Sequence, residues 1–387
     1  MLPALSTEER DHSARLEALI RGRITDAGGW IDFETFMELA LYAPGLGYYS
    51  AGSAKLGPAG DFITAPELTD LYSRCVAYQC AEILAALGGG EIIEFGGGSG
   101  RMASVVLSAL EQLDMLPERY AILEVSADLK ARQQGRIGAL PERLRRRVCF
   151  LERWPSAPVC GVLLANEVLD AFACQRFALR PSAIQALGVG VAADGALAEI
   201  ERPADERLRD ACEAIIRGLP QELPGGYRSE VCLRVGPWIA GIGAVLERGV
   251  LLIFDYGLPR AHYYHPERRD GTLRCHFKQR AHADPLTRIG VQDITAWVDF
   301  TRVAEAADAA GLEVLGFATQ AAFLLGTGIG ELIARTADPR ERAQAASEAR
   351  QLLLPGEMGE AFKVMALARR CRAALSGFAH QDLRASL

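Results

Sequence analysis

The stretch Glu91-Ile92-Ile93-Glu94-Phe95-Gly96-Gly97-Gly98-Ser99-Gly100 decides the fold. A short apolar run, EIIEF, breaks into four glycines within five positions. RMASVVLSALEQL follows with helical periodicity. The order strand, tight turn, helix puts the turn at the carboxyl end of a strand, the edge where open α/β sheets bind ligands. Glycines there allow positive φ and let a ligand lie against bare backbone. The chain continues with a strand YAILEVS, a helix over Ala127–Gly138, a strand VCFLE and a strand GVLLAN. Apolar strands alternating with helices predict a parallel sheet covered on both faces.

Upstream, the spacing of Leu16, Leu19, Ile20 and Ile24 predicts a helix over Arg10–Ala27. A second helix covers Phe33–Leu41 and a third Leu71–Leu87. Between them lies YAPGLGYYSAGSAKLGPAGDFITAPEL, whose Gly and Pro density marks a loop. Downstream of GVLLAN the alternation breaks. Gln175–Arg202 reads as two or three strands with an ADG turn. A helix over Glu206–Gly218, a Pro/Gly linker and a helical Val235–Glu247 lead to the buried strand GVLLIFDYG. Residues Pro259–Val298 form a polar, aromatic-rich excursion of the length that carries function or small elements of its own. Helices then follow over Phe300–Ala310, Ala321–Arg335 and Arg340–Leu354, with strands Glu313–Phe317 and FKVMALAR. The expected organisation is an N-terminal helical segment and loop over 1–74, core over 75–174, an insert over 175–226, core over 227–258, a second insert over 259–298 and core over 299–387.

The chain has 387 residues, half of them apolar, enough for a large core without staples. A net charge of −7 argues against a general nucleic-acid binder. The run Arg143, Arg145, Arg146 and Arg147 reads as a solvated helix end. Nine cysteines, with no C-x-x-C pair, suit a reducing compartment. The N-terminus lacks an apolar signal core, and no segment approaches about 18 uninterrupted apolar residues. Together these point to a cytoplasmic protein with no membrane insertion. No motif fixes the oligomeric state, and a homodimer is compatible with the sequence.

The spacing of the glycine turn discriminates among ligands. The dinucleotide fingerprint G-x-G-x-x-G needs glycine at 101 or at 99, where Arg101 and Ser99 stand. A Walker loop fails because no G-K-[ST] follows. What fits is E-x-G-x-G-x-G, with Glu94, Gly96, Gly98 and Gly100, which resembles motif I of S-adenosylmethionine-dependent methyltransferases. Glu124 ends the next strand, where a carboxylate can accept hydrogen bonds from both ribose hydroxyls.

In that context further segments become recognisable. LYAPGLGYYS, GDFITAPEL, EFGGGSGRMA, ANEVLDAF, FDYG, YYHPERRDGTLRCHFKQRAHADPL, GVQDITAWVDFT and MGEAFKVMALAR run from about Leu41 to Arg369. On these stretches the chain resembles the MidA family, whose mitochondrial members are protein arginine methyltransferases acting in respiratory complex I assembly. The resemblance implies a Rossmann-like class I methyltransferase sheet, mostly parallel with one antiparallel closing strand. It implies S-adenosyl-L-methionine as cofactor, a protein substrate and no metal. Two departures stand out. Gly97 takes the place of a proline common in the family's turn, which leaves binding feasible because glycine is more permissive. Trp297 stands where the family usually has histidine, which puts rate or substrate choice in question.

Methyl transfer from a sulfonium needs alignment and electrostatics, and a guanidinium acceptor, protonated below about pH 12, needs carboxylates to hold it. Glu167 and Asn166 follow GVLLA at a strand's carboxyl end, with Asp170 expected one helical turn on. Glu167 is the first choice for orienting the acceptor nitrogen; a helix N-terminal acid is the plainer alternative. Asp255 ends VLLIF, where a charge after five apolar residues is expensive unless used. Asp61, Thr64 and Glu67 in GDFITAPEL are expected to fold over the methionine end of the cofactor, though Glu67 after Pro66 also suits a helix start. Asn166 is a candidate contact to the cofactor as well. Trp154 could stack on adenine or simply pack. Asp293 and Asp299 lie in the second insert, Asp299 also suiting a helix cap. His262, His265, Cys275, His276 and His282 lack structural-zinc spacing, and no G-x-S-x-G elbow occurs. The leading expectation is a protein arginine N-methyltransferase. A small-molecule or non-arginine methyltransferase and a non-catalytic, cofactor-binding assembly protein are the alternatives.

Overall fold

The computed structural model describes residues 2–51 and 64–387. The chain gathers into two compact units. One comprises Ile63–Leu169, Trp238–Gly257 and Thr301–Leu387. The other comprises Met1–Phe62, Asp170–Pro237 and Leu258–Phe300.

The first unit is built on strands β1 (Glu91–Phe95), β2 (Tyr120–Leu123), β3 (Val148–Leu151), β4 (Val159–Asn166), β5 (Leu246–Leu258), β6 (Glu313–Thr319) and β7 (Phe362–Arg369) of one sheet. Their order across the sheet is β6-β7-β5-β4-β1-β2-β3. Strands β1 to β5 are mutually parallel along this path. Strand β7 runs antiparallel to both β5 and β6. This is the mostly parallel sheet with one antiparallel strand that the alternation and the resemblance implied. From β1 the chain moves outward through β2 and β3, then returns to start β4 on the other side of β1. Such a reversal opens a crevice at the carboxyl ends of the two strands, where open α/β sheets hold their ligands.

Burial explains why these segments form strands. Val162–Ala165 in β4 and Val250–Phe254 in β5 are fully buried, as expected for parallel strands covered on both faces. Helices α1 (Asp70–Leu87), α2 (Arg101–Gln112) and α3 (Ala127–Gly138) follow the expected spans closely. Helix α1 contributes Tyr72, Cys75, Val76, Ile83 and Leu84 to the same core as Met102, Val106 and Leu110 of α2. Thr69 caps α1 and Ser126 caps α3 through their side chains. The basic run expected to be a solvated helix end sits at Glu142–Arg145, where Arg143 pairs with Glu111 and Arg146 with Glu142.

Two local expectations change. The single helix expected over Ala321–Arg335 is two, Gln320–Gly326 and Ile329–Ala334, separated at Thr327-Gly328. Gly328 takes a left-handed φ of 87°, which ends regular helix. Trp30–Asp32 forms a short strand too brief to show a period in the sequence.

In the second unit Trp30–Asp32, Ala183–Val191, Gln175–Arg180, Arg228–Val231 and Leu197–Pro203 make a five-stranded antiparallel sheet. The long excursion has elements of its own: Arg274–Phe277 pairs with Arg280–His282 on one side and Asp293–Thr295 on the other.

At the amino-terminal edge of the parallel sheet, Gly161 and Gly249 face each other in register between β4 and β5. Both have positive φ, 153° and 143°. A Cβ on Gly161 would lie 1.9 Å from the Glu91 carbonyl oxygen. Gly161→Ala is therefore expected to cost roughly 2–4 kcal/mol through backbone displacement in the sheet. Urea unfolding monitored by circular dichroism checks this, and an unchanged midpoint would show that the edge can spread freely.

Candidate active site

The glycine turn leaves β1 and enters α2. Gly96, Gly98 and Gly100 have φ values of 68°, 52° and 80°, a left-handed region that side-chain-bearing residues avoid. Gly96 is exposed and Gly98 half-exposed, so bare backbone faces outward at the crevice edge. A Cβ on Gly96 would come within 3.2 Å of Val168 Cγ2.

Glu124 follows β2 and is partly buried. Its Oε1 accepts from the Ser126 N–H at 2.9 Å, and its Oε2 accepts from Gln133 Nε2 at 3.0 Å. Burial raises its pKa, opposed by these donors and by backbone N–H groups of Val125 and Gly98. Val125, the next residue, is 82% exposed, an apolar surface beside that carboxylate. Glu94 is placed differently. It is buried under the turn, and Tyr120 donates a hydrogen bond of 2.8 Å to its Oε2. Its carboxylate supports β1 from within the core rather than lining the open face on which a ligand contact was expected.

Ser99 and Arg101 tie the turn to the segment before α1. Ser99 Oγ donates to Glu67 Oε1. Arg101 donates to the Glu67 carbonyl and, through Nε at 3.0 Å, to Asp70 Oδ1. Glu67 lies in the single turn Ala65–Leu68, and Thr64 begins that turn without a side-chain cap. Asp61 lies outside the described residues.

At the end of β4, Asn166 Oδ1 accepts from Tyr72 at 2.6 Å and Asn166 Nδ2 donates to Glu167 Oε1 at 3.3 Å. Glu167 has a φ of 53°, an uncommon conformation for a residue with a side chain. Its N–H bonds to the Phe254 carbonyl at 2.9 Å. Asp255 is fully buried, its Oδ2 accepting from Leu169 N–H and its Oδ1 from Tyr256 N–H, both at 2.9 Å. Burial first, then the Glu167 and Asp255 charges, pushes the Tyr72 hydroxyl well above its usual pKa, so it stays a donor.

Several expectations are corrected here. Residues 167–174 form bends and turns, not a helix, so Glu167 is not a helix N-terminal acid and Asp170 is not one turn on. The Asp170 carbonyl accepts from Ala296, and its charge bears on Tyr49, within the second unit. Asp255 is a buried anchor for the backbone of the 166–169 segment, not a group open to substrate. Trp154 packs at 5.2 Å from Phe95 and 6.1 Å from Trp238, edge-on to the latter, and is half-buried. In the second unit Asp293 accepts from Tyr49 at 3.0 Å and Asp299 from Arg260 at 3.4 Å. Trp297 donates its backbone N–H to Thr272 Oγ1 and carries the Arg268 guanidinium over its ring at 5.4 Å. Among the described residues no group of three His, Cys, Asp or Glu could hold a metal ion.

Residues 75–318 match the family described as "Putative S-adenosyl-L-methionine-dependent methyltransferase". The chain belongs to this methyltransferase family. A COG1565 superfamily structure from Burkholderia thailandensis, bound to S-adenosyl-homocysteine, is 38% identical with a TM-score of 0.94 over 100% of both chains. Mitochondrial protein arginine methyltransferases are more distant. The NDUFAF7 homolog of Drosophila melanogaster is 27% identical over 94% of this chain and 87% of its own length. NDUFAF7 of Bos taurus is 28% identical over 91% and 83%. The family resemblance carried by the motifs holds, and the cofactor of this methyltransferase is S-adenosyl-L-methionine. The residues present fit it: glycines keep the turn bare where a Cβ would fill it, and a carboxylate stands at the end of the neighbouring strand.

Tyr72, Ser99, Arg101 and Gln133 escaped the sequence reading. Ser99 and Arg101 stood within or beside the quoted motif, but nothing in their spacing revealed Glu67 as the partner. Tyr72 sat in an apolar helical stripe and looked like core.

Burial pushes the Glu94 carboxyl from 4.5 to about 7; the Tyr120 hydroxyl opposes this and the Glu124 charge reinforces it. Between those values the folded protein holds a proton that the unfolded chain has released, so this group makes stability fall as pH rises through that window. Glu94→Gln is expected to flatten the decline in denaturant midpoint between pH 5 and 7. An unchanged slope would mean that Glu94 ionises as in the unfolded chain.

Proposed function

We propose that this methyltransferase transfers methyl groups to guanidinium nitrogens of protein arginines. The observation that carries the reading is Glu167, a carboxylate held in a left-handed conformation at the carboxyl end of β4, braced by Asn166 and next to the buried Asp255 anchor. Residues held in sparsely populated conformations cost about 1–3 kcal/mol and cluster at functional sites. The named activity of the curated relatives, which match over most of their length, supports the same acceptor.

In this reading the turn at Gly96, Gly98 and Gly100 admits the cofactor to bare backbone, and Glu124 accepts from the ribose hydroxyls. Glu67, with Thr64 and Asp61 nearby in sequence, serves the methionine end. Bound S-adenosylmethionine supplies a methyl group already activated by its sulfonium. Glu167 accepts hydrogen bonds from the planar guanidinium and aims one nitrogen at that methyl. The carboxylate also stabilises the cationic acceptor and takes up the proton the nitrogen loses as the new nitrogen–methyl bond replaces the methyl–sulfur bond. Asn166 and Tyr72 keep Glu167 from swinging away. The cysteine usage supports a cytoplasmic setting.

A second reading, a non-arginine acceptor, draws on Trp297. Its ring is covered by Arg268, an arrangement that the histidine usual in the resembling family would not give. Both readings are tested with labelled S-adenosylmethionine and native cell lysate, followed by acid hydrolysis of the protein fraction. The arginine reading expects label in methylarginine. Glu167→Gly should lower the rate by about 10²-fold or more while leaving the melting temperature nearly unchanged, because glycine suits the φ of 53°. Label confined to small molecules or to other amino acids sinks the arginine assignment.

A further inference from the structure

We infer that Gln133 is a positioning residue for cofactor binding, its side-chain amide locking the Glu124 carboxylate and the Gly98 carbonyl into one cradle. The inference rests on the reading of Glu124 as the ribose-binding acid.

Helix α3 buries a stripe one turn apart: Leu129, Gln133 and Ile137. The middle of such a stripe calls for an aliphatic side chain. Gln133 occupies it with no exposed surface. Its Nε2 donates to the Gly98 carbonyl at 2.9 Å and to Glu124 Oε2 at 3.0 Å. Two acceptors at these distances fix which end of the amide faces them, since the flipped amide would set an oxygen against both. The other end carries a cost: Oε1 is buried with no hydrogen-bond partner among the described residues. A leucine or methionine would fill the same volume without that orphaned acceptor. The glutamine is therefore explained by what its nitrogen holds, not by packing.

The turn is also pressed directly onto this side chain. A Cβ on Gly97 would lie 3.1 Å from Gln133 Nε2, and a Cβ on Gly100 would lie 3.1 Å from Gln133 Cα. One residue thus sets the height of the turn and the direction of the acid at the end of the next strand. Without it Glu124 keeps only its backbone donors, and the Gly98 carbonyl is free to rotate towards the space the cofactor needs. Preorganisation of this kind shows in affinity rather than in the chemical step.

The test uses the full chain, with S-adenosylhomocysteine titrated by calorimetry and labelled S-adenosylmethionine with native lysate for kinetics. Gln133→Leu is expected to weaken S-adenosylhomocysteine binding by about 10- to 100-fold and raise the cofactor KM in parallel, with kcat within about threefold and no loss of melting temperature. Gln133→Glu should bind more weakly still at pH 8, where two carboxylates face each other. Relative to wild type at each pH, so that titration of Glu94 and Glu124 cancels, it should recover as the pH falls and the new carboxyl becomes a donor. Glu124→Ala should weaken binding, and adding Gln133→Leu to it should weaken binding little further, since the two act as one unit. If Glu124→Ala leaves affinity unchanged, the ribose assignment fails and takes this inference with it. If Glu124→Ala weakens binding while Gln133→Leu stays within twofold of wild type, or loses affinity only in step with melting temperature, the positioning role is overturned and the ribose assignment stands.

Discussion

The carboxyl edge of this methyltransferase's sheet depends on a buried charge. Asp255 ends a strand of fully buried apolar residues, where an unsatisfied carboxylate would cost several kcal/mol. It is satisfied by backbone, with N–H groups of Tyr256 and Leu169 each at 2.9 Å. One of these donors lies two residues past Glu167, so the carboxylate joins the end of β5 to the segment leaving β4. That segment leaves β4 in bends and turns, and Glu167 keeps its left-handed backbone. Removing the carboxylate would take this acceptor from the buried Leu169 N–H, at about 1–3 kcal/mol. Asp255 thus ties the segment that carries Glu167 to the end of β5 while itself fully buried.

The same device recurs across the crevice. Glu124 accepts from the Ser126 N–H and from Gln133, and Glu67 accepts from Ser99 while its carbonyl is held by Arg101. In each case a carboxylate at a strand end or turn is held by donors that belong to the fold. Glu94 differs, buried with a neutral tyrosine as partner and held near the point of protonation at neutral pH. Charge is therefore kept at the rim, where ligand and backbone donors can share it, and allowed to fade beneath the turn.

The sheet and its turn were legible because their signals are local. Unbroken apolar strands, glycines at the strand–helix junction and an acid ending the next strand each follow from backbone geometry. The break in the helix around Gly328 was less visible, since a Gly-Thr-Gly step can also be tolerated within a helical pattern. A helix start at Glu167 was the plainer alternative, but bends and turns stand there, and the Asp255 that holds Leu169 lies 86 residues beyond it, outside any local signal. Asp255 itself looked catalytic for a sound reason, an expensive charge, but the expense is met by backbone. Gln133 was invisible because a glutamine in a helix has no signature until its two acceptors are known. What the sequence missed is tertiary: which donors reach which acids.

The account turns on Glu124 and Glu167 flanking one bound cofactor at the reversal point of the sheet. A crystal structure of this chain with S-adenosylhomocysteine tests that directly. Both ribose hydroxyls should lie within hydrogen-bonding distance of Glu124, with the cofactor's amino-acid end over Gly96 and Gly98 and the sulfur facing the Glu167 side of the crevice. A ribose held elsewhere, or a sulfur turned away from Glu167, would contradict it.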